Sequence, residues 1–357
     1  MKRTGIADLP LHYGRAPAWL FTRMRNLARE ITIAIVSEYG PEQFLRKISD
    51  PLWFQAFGCV LGFDWHSSGL TTTVCGALKE GVRGLEKELD IFVVGGKGKA
   101  SRKTPQEILK VGDLTSLNPH PLIYASRMVA KVDTSALQDG FQLYHHCFIF
   151  TKSGKWAVIQ QGMNENLRYA RRYHWIGEKV KSFVCEPHSA ICCDLKKEGL
   201  NMVAKESDKS RSTSTLLSRE HPSRIIKELK TIKRVKFAPF PNFSLEDIHP
   251  ERLEKTLQLA YEKSPESFEE LLGTRGVGAK TIRALALVAD LLYGAKPSFK
   301  DPATYSFAHG GKDGYPYPVD KSTYDETIQT LRQALKEAKI GRSEKIKAIK
   351  RLVKISS

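Results

Sequence analysis

Residues 144–163 read YHHCFIFTKSGKWAVIQQGM, two apolar runs joined by Lys152-Ser153-Gly154-Lys155. Apolar runs of this length on either side of a short polar segment containing glycine predict a β-hairpin. Just upstream, DIFVVGG (90–96) predicts a further short strand. After about residue 220 no segment reads as a strand. The chain therefore belongs to the α+β class, with an N-terminal mixed α/β domain followed by an all-α domain.

Helical periodicity accounts for most of the remainder. WLFTRMRNLAREITIAIVSEYG (19–40) has apolar residues at helical spacing and stops at Gly40-Pro41, a usual helix ending. Pro41 and Pro51 stand near the starts of two short helices, where proline is tolerated. Toward the C-terminus, helices are expected over 222–234, 250–263, 265–273, 279–293, 321–338 and 342–354. The stretch near 205–220 is polar and rich in serine and reads as a linker or mobile loop. The expected boundaries are 1–204, 205–220 and 221–357.

Fifty-six Lys and Arg against 39 Asp and Glu give a net charge of +17 over 357 residues, a footprint suited to polyanions. With 41% hydrophobic residues the chain can bury substantial cores, which excludes a disordered protein. No apolar run reaches the roughly eighteen residues of a membrane-spanning helix, so no membrane partner is expected and the protein reads as cytoplasmic. The cysteines, Cys59, Cys75, Cys147, Cys185, Cys192 and Cys193, lack paired C-x-x-C spacing and read as buried free thiols.

Residues 269–292, EELLGTRGVGAKTIRALALVADLL, place Gly276-Val277-Gly278 between two helical runs, with Lys280, Thr281 and Arg283 opening the second. Glycine reaches positive φ and lets backbone N–H groups approach an oxyanion at a helix N-terminus. Gly276, Gly278, Lys280, Thr281 and Arg283 are therefore candidate nucleic-acid contacts. The stretch RGVGAKT (275–281) resembles the hairpin of the helix-hairpin-helix DNA glycosylase superfamily. That resemblance implies a DNA glycosylase or AP lyase acting in DNA repair without a cofactor, with Lys280 as the amine that attacks the sugar and Asp320 as its carboxylate partner. Arg275 stands where the family has proline, Ile282 where it has a small residue, and the spacing from Lys280 to Asp320 is about twice the family's. The whole chain, with its opening RTGIADLPLHYGRAP (3–17), also resembles a family of archaeal and thermophilic bacterial proteins known only as a domain of unknown function.

A second basic element is VVGGKGKASRKTP (93–105), where glycines after a strand accompany Lys97, Lys99, Arg102 and Lys103. Backbone N–H groups and cations can hold phosphate together there, although the Walker A spacing is absent. Asp64, His66 and His145 form an alternative nuclease site, with His146, His174, Glu186 and His188 as further potential ligands or acid–base groups. A nuclease of this kind would use a divalent metal. Adjacent His145 and His146 on a strand point to opposite faces, so at most one serves a single site. Aromatic residues of the 296–317 segment, Tyr305, Phe307, Tyr315 and Tyr317 among them, are candidates for base stacking. The tail 336–355 is a basic amphipathic helix. These features predict a protein that binds DNA or RNA; a glycosylase or lyase, a metal-dependent nuclease and a nonenzymatic adaptor are the forms it can take.

Overall fold

The computed structural model describes residues 16–63, 67–193, 195–234, 248–303 and 321–356. Its first third is helical: α1 (Ala18–Tyr39), α2 (Pro41–Ser49), α3 (Pro51–Leu61), α4 (Gly69–Val82) and α5 (Glu86–Leu89). Met24, Leu27, Ala28, Ile31 and Ile35 form the buried stripe of α1, and Gly40 ends the helix at φ 82°. Helix α3 begins on Pro51, with the Asp50 side chain accepting the Trp53 N–H at 2.8 Å, which satisfies one of the otherwise unpaired donors of the first turn.

Strand β1 (Phe92–Lys97) leads through a 3₁₀ turn (Gly98–Lys103) into α6 (Thr104–Leu114) and α7 (His120–Lys131). A wide π turn (Val132–Ala136) and a two-residue strand, β2 (Leu137–Gln138), come next. The expected hairpin is β3 (Gln142–Phe150) and β4 (Trp156–Asn164), followed by β5 (Tyr169–Ile176), β6 (Ala190–Cys192) and β7 (Leu200–Asn201). The main sheet runs β1-β3-β4-β5-β6 with every pairing antiparallel, and β2 pairs with β7.

Side chains alternate across a strand, and here both faces of the sheet are buried. Phe92, Val94, Phe148, Phe150, Val158, Tyr173 and Trp175 enter one core; Val93, Cys147, Ile149, Ala157, Ile159 and Ile176 enter the other. The first core is closed by α7 and by α8 (Asp208–Ser218), α9 (Pro222–Arg234), α10 (Pro250–Lys263), α11 (Phe268–Gly273) and α12 (Ala279–Tyr293). The second contains α1, α3 and α4 together with Leu331, Ala334 and Leu335 of α13 (Lys321–Glu337) and Ala348 and Leu352 of α14 (Arg342–Ser356).

Two expectations about organisation are corrected by this arrangement. The 205–220 stretch is not a linker: a short turn at Lys205–Ser207 leads into α8, whose Ser210, Ser214, Thr215 and Ser218 are buried. Its small hydroxyl residues turn their polarity inward onto their own helix. Thr215 Oγ1 donates to the Arg211 carbonyl at 2.9 Å and Ser218 Oγ to the Thr215 carbonyl at 2.7 Å. The slim surface that results packs against α12. Arg211 is buried because its guanidinium donates to the carbonyls of Met202 and Ala204 at 2.8 and 2.7 Å. The helices after 220, expected as one all-α domain, are divided between the two cores. Those of 222–293 cover one face, whereas α13 and α14 return to pack on α1 and α3, where their apolar stripes complete the N-terminal core.

Among the described residues the cysteines are free thiols, and all but Cys185 are buried. No helix in the described residues is long and apolar enough to cross a membrane.

Candidate functional site

Residues 274–278 link α11 to α12 as a tight turn. Gly276 takes φ 84°, the left-handed region that favours glycine. Val277 at the tip is fully buried and its N–H donates to the Thr274 carbonyl at 3.2 Å. Two side chains from the body of the protein seat the turn. Lys131 Nζ, at the end of α7, donates to the Val277 carbonyl. The Gln138 amide, on β2, donates to the Ala279 carbonyl at 2.9 Å and accepts from Arg283 Nε at 2.9 Å.

The predicted contacts therefore divide. Lys280 is exposed on the first turn of α12, whereas Thr281 is buried and Arg283 is half-buried with its Nε held by Gln138. Gly276 and Gly278 shape the turn. Asp320, the proposed partner of Lys280, lies outside the described residues, as do Asp64, His66 and the aromatic residues of 305–317.

The second basic element also takes a definite form. Gly95 sits at φ 84°, and a side chain there would meet the His146 carbonyl oxygen at 2.2 Å. Its N–H is held internally, because Glu107 Oε2 accepts it at 3.0 Å while pairing with Lys79 at 2.7 Å. The expectation that backbone N–H groups of this loop hold phosphate thus fails at Gly95, where a carboxylate already occupies the anion position. The cations remain available: Lys97, Lys99, Arg102 and Lys103 are all exposed, with Lys97 over the Tyr144 ring at 5.7 Å.

The 98–103 turn and the end of α11 border one cavity. It has a volume of about 530 Å³ and is bounded by Ser101 and Arg102 of the loop, by Tyr124, Arg127 and Lys131 of α7, and by Gly273 at the end of α11. Ser126 and His146 also line it, with Met128, Pro105 and Leu143 as apolar wall. No carboxylate is among the described lining residues. Arg102 and Arg127 have no ion-pair partner among the described residues. Burial lowers the pKa of Lys131. Nearby, the Tyr124 hydroxyl donates to Glu269, and burial followed by that carboxylate raises the phenol's pKa.

Sequence reasoning did not select Tyr124, Arg127 or Lys131. The available signal was their spacing: positions 124, 127, 128 and 131 share one face of a helix, so a helix over 120–131 lines up two cations beside an aromatic ring.

The paired histidines face opposite ways, as strand geometry demands. His146 reaches the cavity. His145 is 1% exposed with neither ring nitrogen partnered, and burial, then His146 and Lys97, push its pKa down to about 3. It stays neutral at physiological pH and is unsuited to donate a proton in a nuclease reaction. No group of three or more His, Cys, Asp or Glu suited to hold a metal ion occurs among the described residues.

The family described as "Protein of unknown function (DUF763)" matches residues 5–319. The chain belongs to the DUF763 family. The matched span contains the sheet, the basic loop, the cavity and the α11–α12 turn. None of the curated proteins and none of the solved structures is matched by the chain.

Proposed function

We propose that this protein binds nucleic acid through its phosphate backbone, along the cleft between the 98–103 turn, α7 and the α11–α12 turn. One observation carries the reading: Arg102, Arg127 and Lys131 converge on a cavity with no carboxylate among its described lining residues. Unpaired guanidinium groups are planar forks matched to phosphate oxygens, and Arg275, on the α11–α12 turn, and Lys280, on the first turn of α12, are exposed. A cavity of this volume falls in the range that takes a nucleotide-sized ligand. The net charge of +17 adds the long-range attraction that brings a polyanion to the cleft.

Phosphate contacts release counterions, so the affinity of the full chain for labelled single-stranded and duplex oligonucleotides falls steeply with salt. The double variant Arg102→Ala/Arg127→Ala removes two such contacts. Its log–log salt slope is expected to be shallower by about 1.4 on single strands and about 1.8 on duplex. An unchanged slope and affinity in the double variant would remove the cleft from the binding surface.

A further inference from the structure

Beneath the cations, a chain of buried polar groups runs from the cavity into the sheet. Ser126 Oγ lies 2.9 Å from His146 Nε2. His146 Nδ1 lies 2.6 Å from Gln160 Oε1, on the neighbouring strand of the sheet. The Gln160 amide nitrogen is bound to Asp133 Oδ2 and lies 3.4 Å from the Val129 carbonyl. Asp133, in the π turn, also accepts from Trp175 Nε1 at 3.0 Å and is bound by His188 Nε2. All but His188 have residue exposures of 3% or less.

This chain sets the direction of every proton in it. Two acceptors, the Asp133 carboxylate and the Val129 carbonyl, hold the Gln160 NH₂ group, so the Gln160 oxygen must face His146. His146 therefore carries its proton on Nδ1, and Nε2 presents a lone pair to the Ser126 hydroxyl. A serine hydroxyl bonded to the acceptor nitrogen of an imidazole, itself oriented by a third group, is the arrangement that activates a nucleophile. Burial lowers the His146 pKa, partly offset by Gln160 and Asp133, which keeps Nε2 unprotonated at neutral pH. π turns are frequent at functional sites, and this one supplies Asp133.

We propose that Ser126 is a nucleophile toward phosphodiesters, activated by His146 and served by the Arg102, Arg127 and Lys131 charges. The choice of nucleic acid as the natural substrate rests on the function proposed above. Ser126 Oγ attacks phosphorus; the Oγ–P bond forms as the P–O bond on the far side breaks, and that oxygen leaves with the electron pair. The serine proton passes to His146 Nε2. A sugar leaving oxygen takes its proton from water, and the imidazolium returns its own to solvent. Water then attacks phosphorus, His146 accepts the water's proton, and the Ser126 oxygen departs and is reprotonated by His146. The guanidinium groups and the ammonium neutralise charge on the phosphoryl oxygens as it develops.

The test uses the full chain and bis(4-nitrophenyl) phosphate, whose nitrophenolate leaves without needing a proton. Wild type is expected to release a burst of one nitrophenolate per chain and to carry a phosphoryl adduct on Ser126 by mass spectrometry. Ser126→Ala, which removes only the hydroxyl oxygen, gives no burst, and His146→Gln slows it about a hundredfold or more. Gln160→Leu removes the hydrogen bond that raises the His146 pKa, so the acid limb of the burst-rate profile moves to lower pH. A folded wild type that releases nothing, or a burst that persists in Ser126→Ala, overturns the proposal. Reaction of Ser126 with 4-nitrophenyl acetate but not with the diester overturns the phosphoryl assignment. The two readings separate cleanly. Salt-sensitive oligonucleotide binding by a wild type without burst activity sinks the nucleophile alone, and a burst that oligonucleotides do not inhibit sinks the nucleic-acid reading alone.

Discussion

His145 offers a sharp test of the buried sheet face. Its ring is buried on β3 with both nitrogens unpartnered, and its pKa is pushed down to about 3 in the folded protein. In the unfolded chain a histidine titrates near 6.5. A depressed folded pKa means that the unfolded state takes up a proton first as the pH falls. The stability that depends on a neutral His145 is thus present above about 6.5 and is lost progressively down to about 3. At pH 5 the deficit is roughly 1.5 pH units at about 1.4 kcal/mol each, or about 2 kcal/mol, and at pH 7 it is close to zero. His146 and His174 are also held below the ordinary value by burial and steepen the same descent in any variant that retains them. His145→Leu therefore isolates one proton. Urea unfolding of wild type and variant at pH 7 and pH 5 is expected to show the variant losing about 2 kcal/mol less over that interval. At pH 7 it should be no less stable than wild type, because the leucine replaces polar atoms that have no partner. Parallel stability curves between pH 7 and pH 5 would refute the claim that His145 is buried and neutral.

Two further substitutions test the framework. Gly95→Ala places a methyl group 2.2 Å from the His146 carbonyl oxygen at φ 84° and is expected to cost about 3 kcal/mol or more in urea unfolding; a loss below 1 kcal/mol would mean that β1 does not approach β3 as described. Arg171 is fully buried between Asp139 and Asp301 at 2.9 and 2.7 Å, so Arg171→Met leaves two buried carboxylates without their cation and is expected to cost about 3–5 kcal/mol by the same measurement. A near-neutral result there would show that residue 301 is not tied to the sheet through this pair.

Much of the secondary structure follows from sequence pattern alone. The apolar runs around Lys152-Ser153-Gly154-Lys155 are β3 and β4, and the helices expected at 222–234, 250–263 and 279–293 have those same limits. Apolar periodicity and the conformational limits of glycine and proline are local properties, so a local reading recovers them. The turn at 274–278 was legible for the same reason, since Gly276 needs a positive φ that few other residues tolerate.

Tertiary packing decided the rest. The serines of 210–218 are polar by composition, yet α8 is a packed helix because α12 covers its small side chains and Met202 and Ala204 accept from Arg211. Nothing local to 321–356 says that those two helices join the N-terminal core, because an amphipathic stripe specifies that a face is buried but not against what. The candidate site shows the same division. Net charge and the basic loop at 97–103 pointed to a polyanion, but the cavity joins residues 101, 127, 146 and 273, and the relay joins Ser126, His146, Gln160 and Asp133. Their chemistry depends on distances between elements far apart in the chain, and those distances are set by the packing of α7 against the sheet and of α11 against α7.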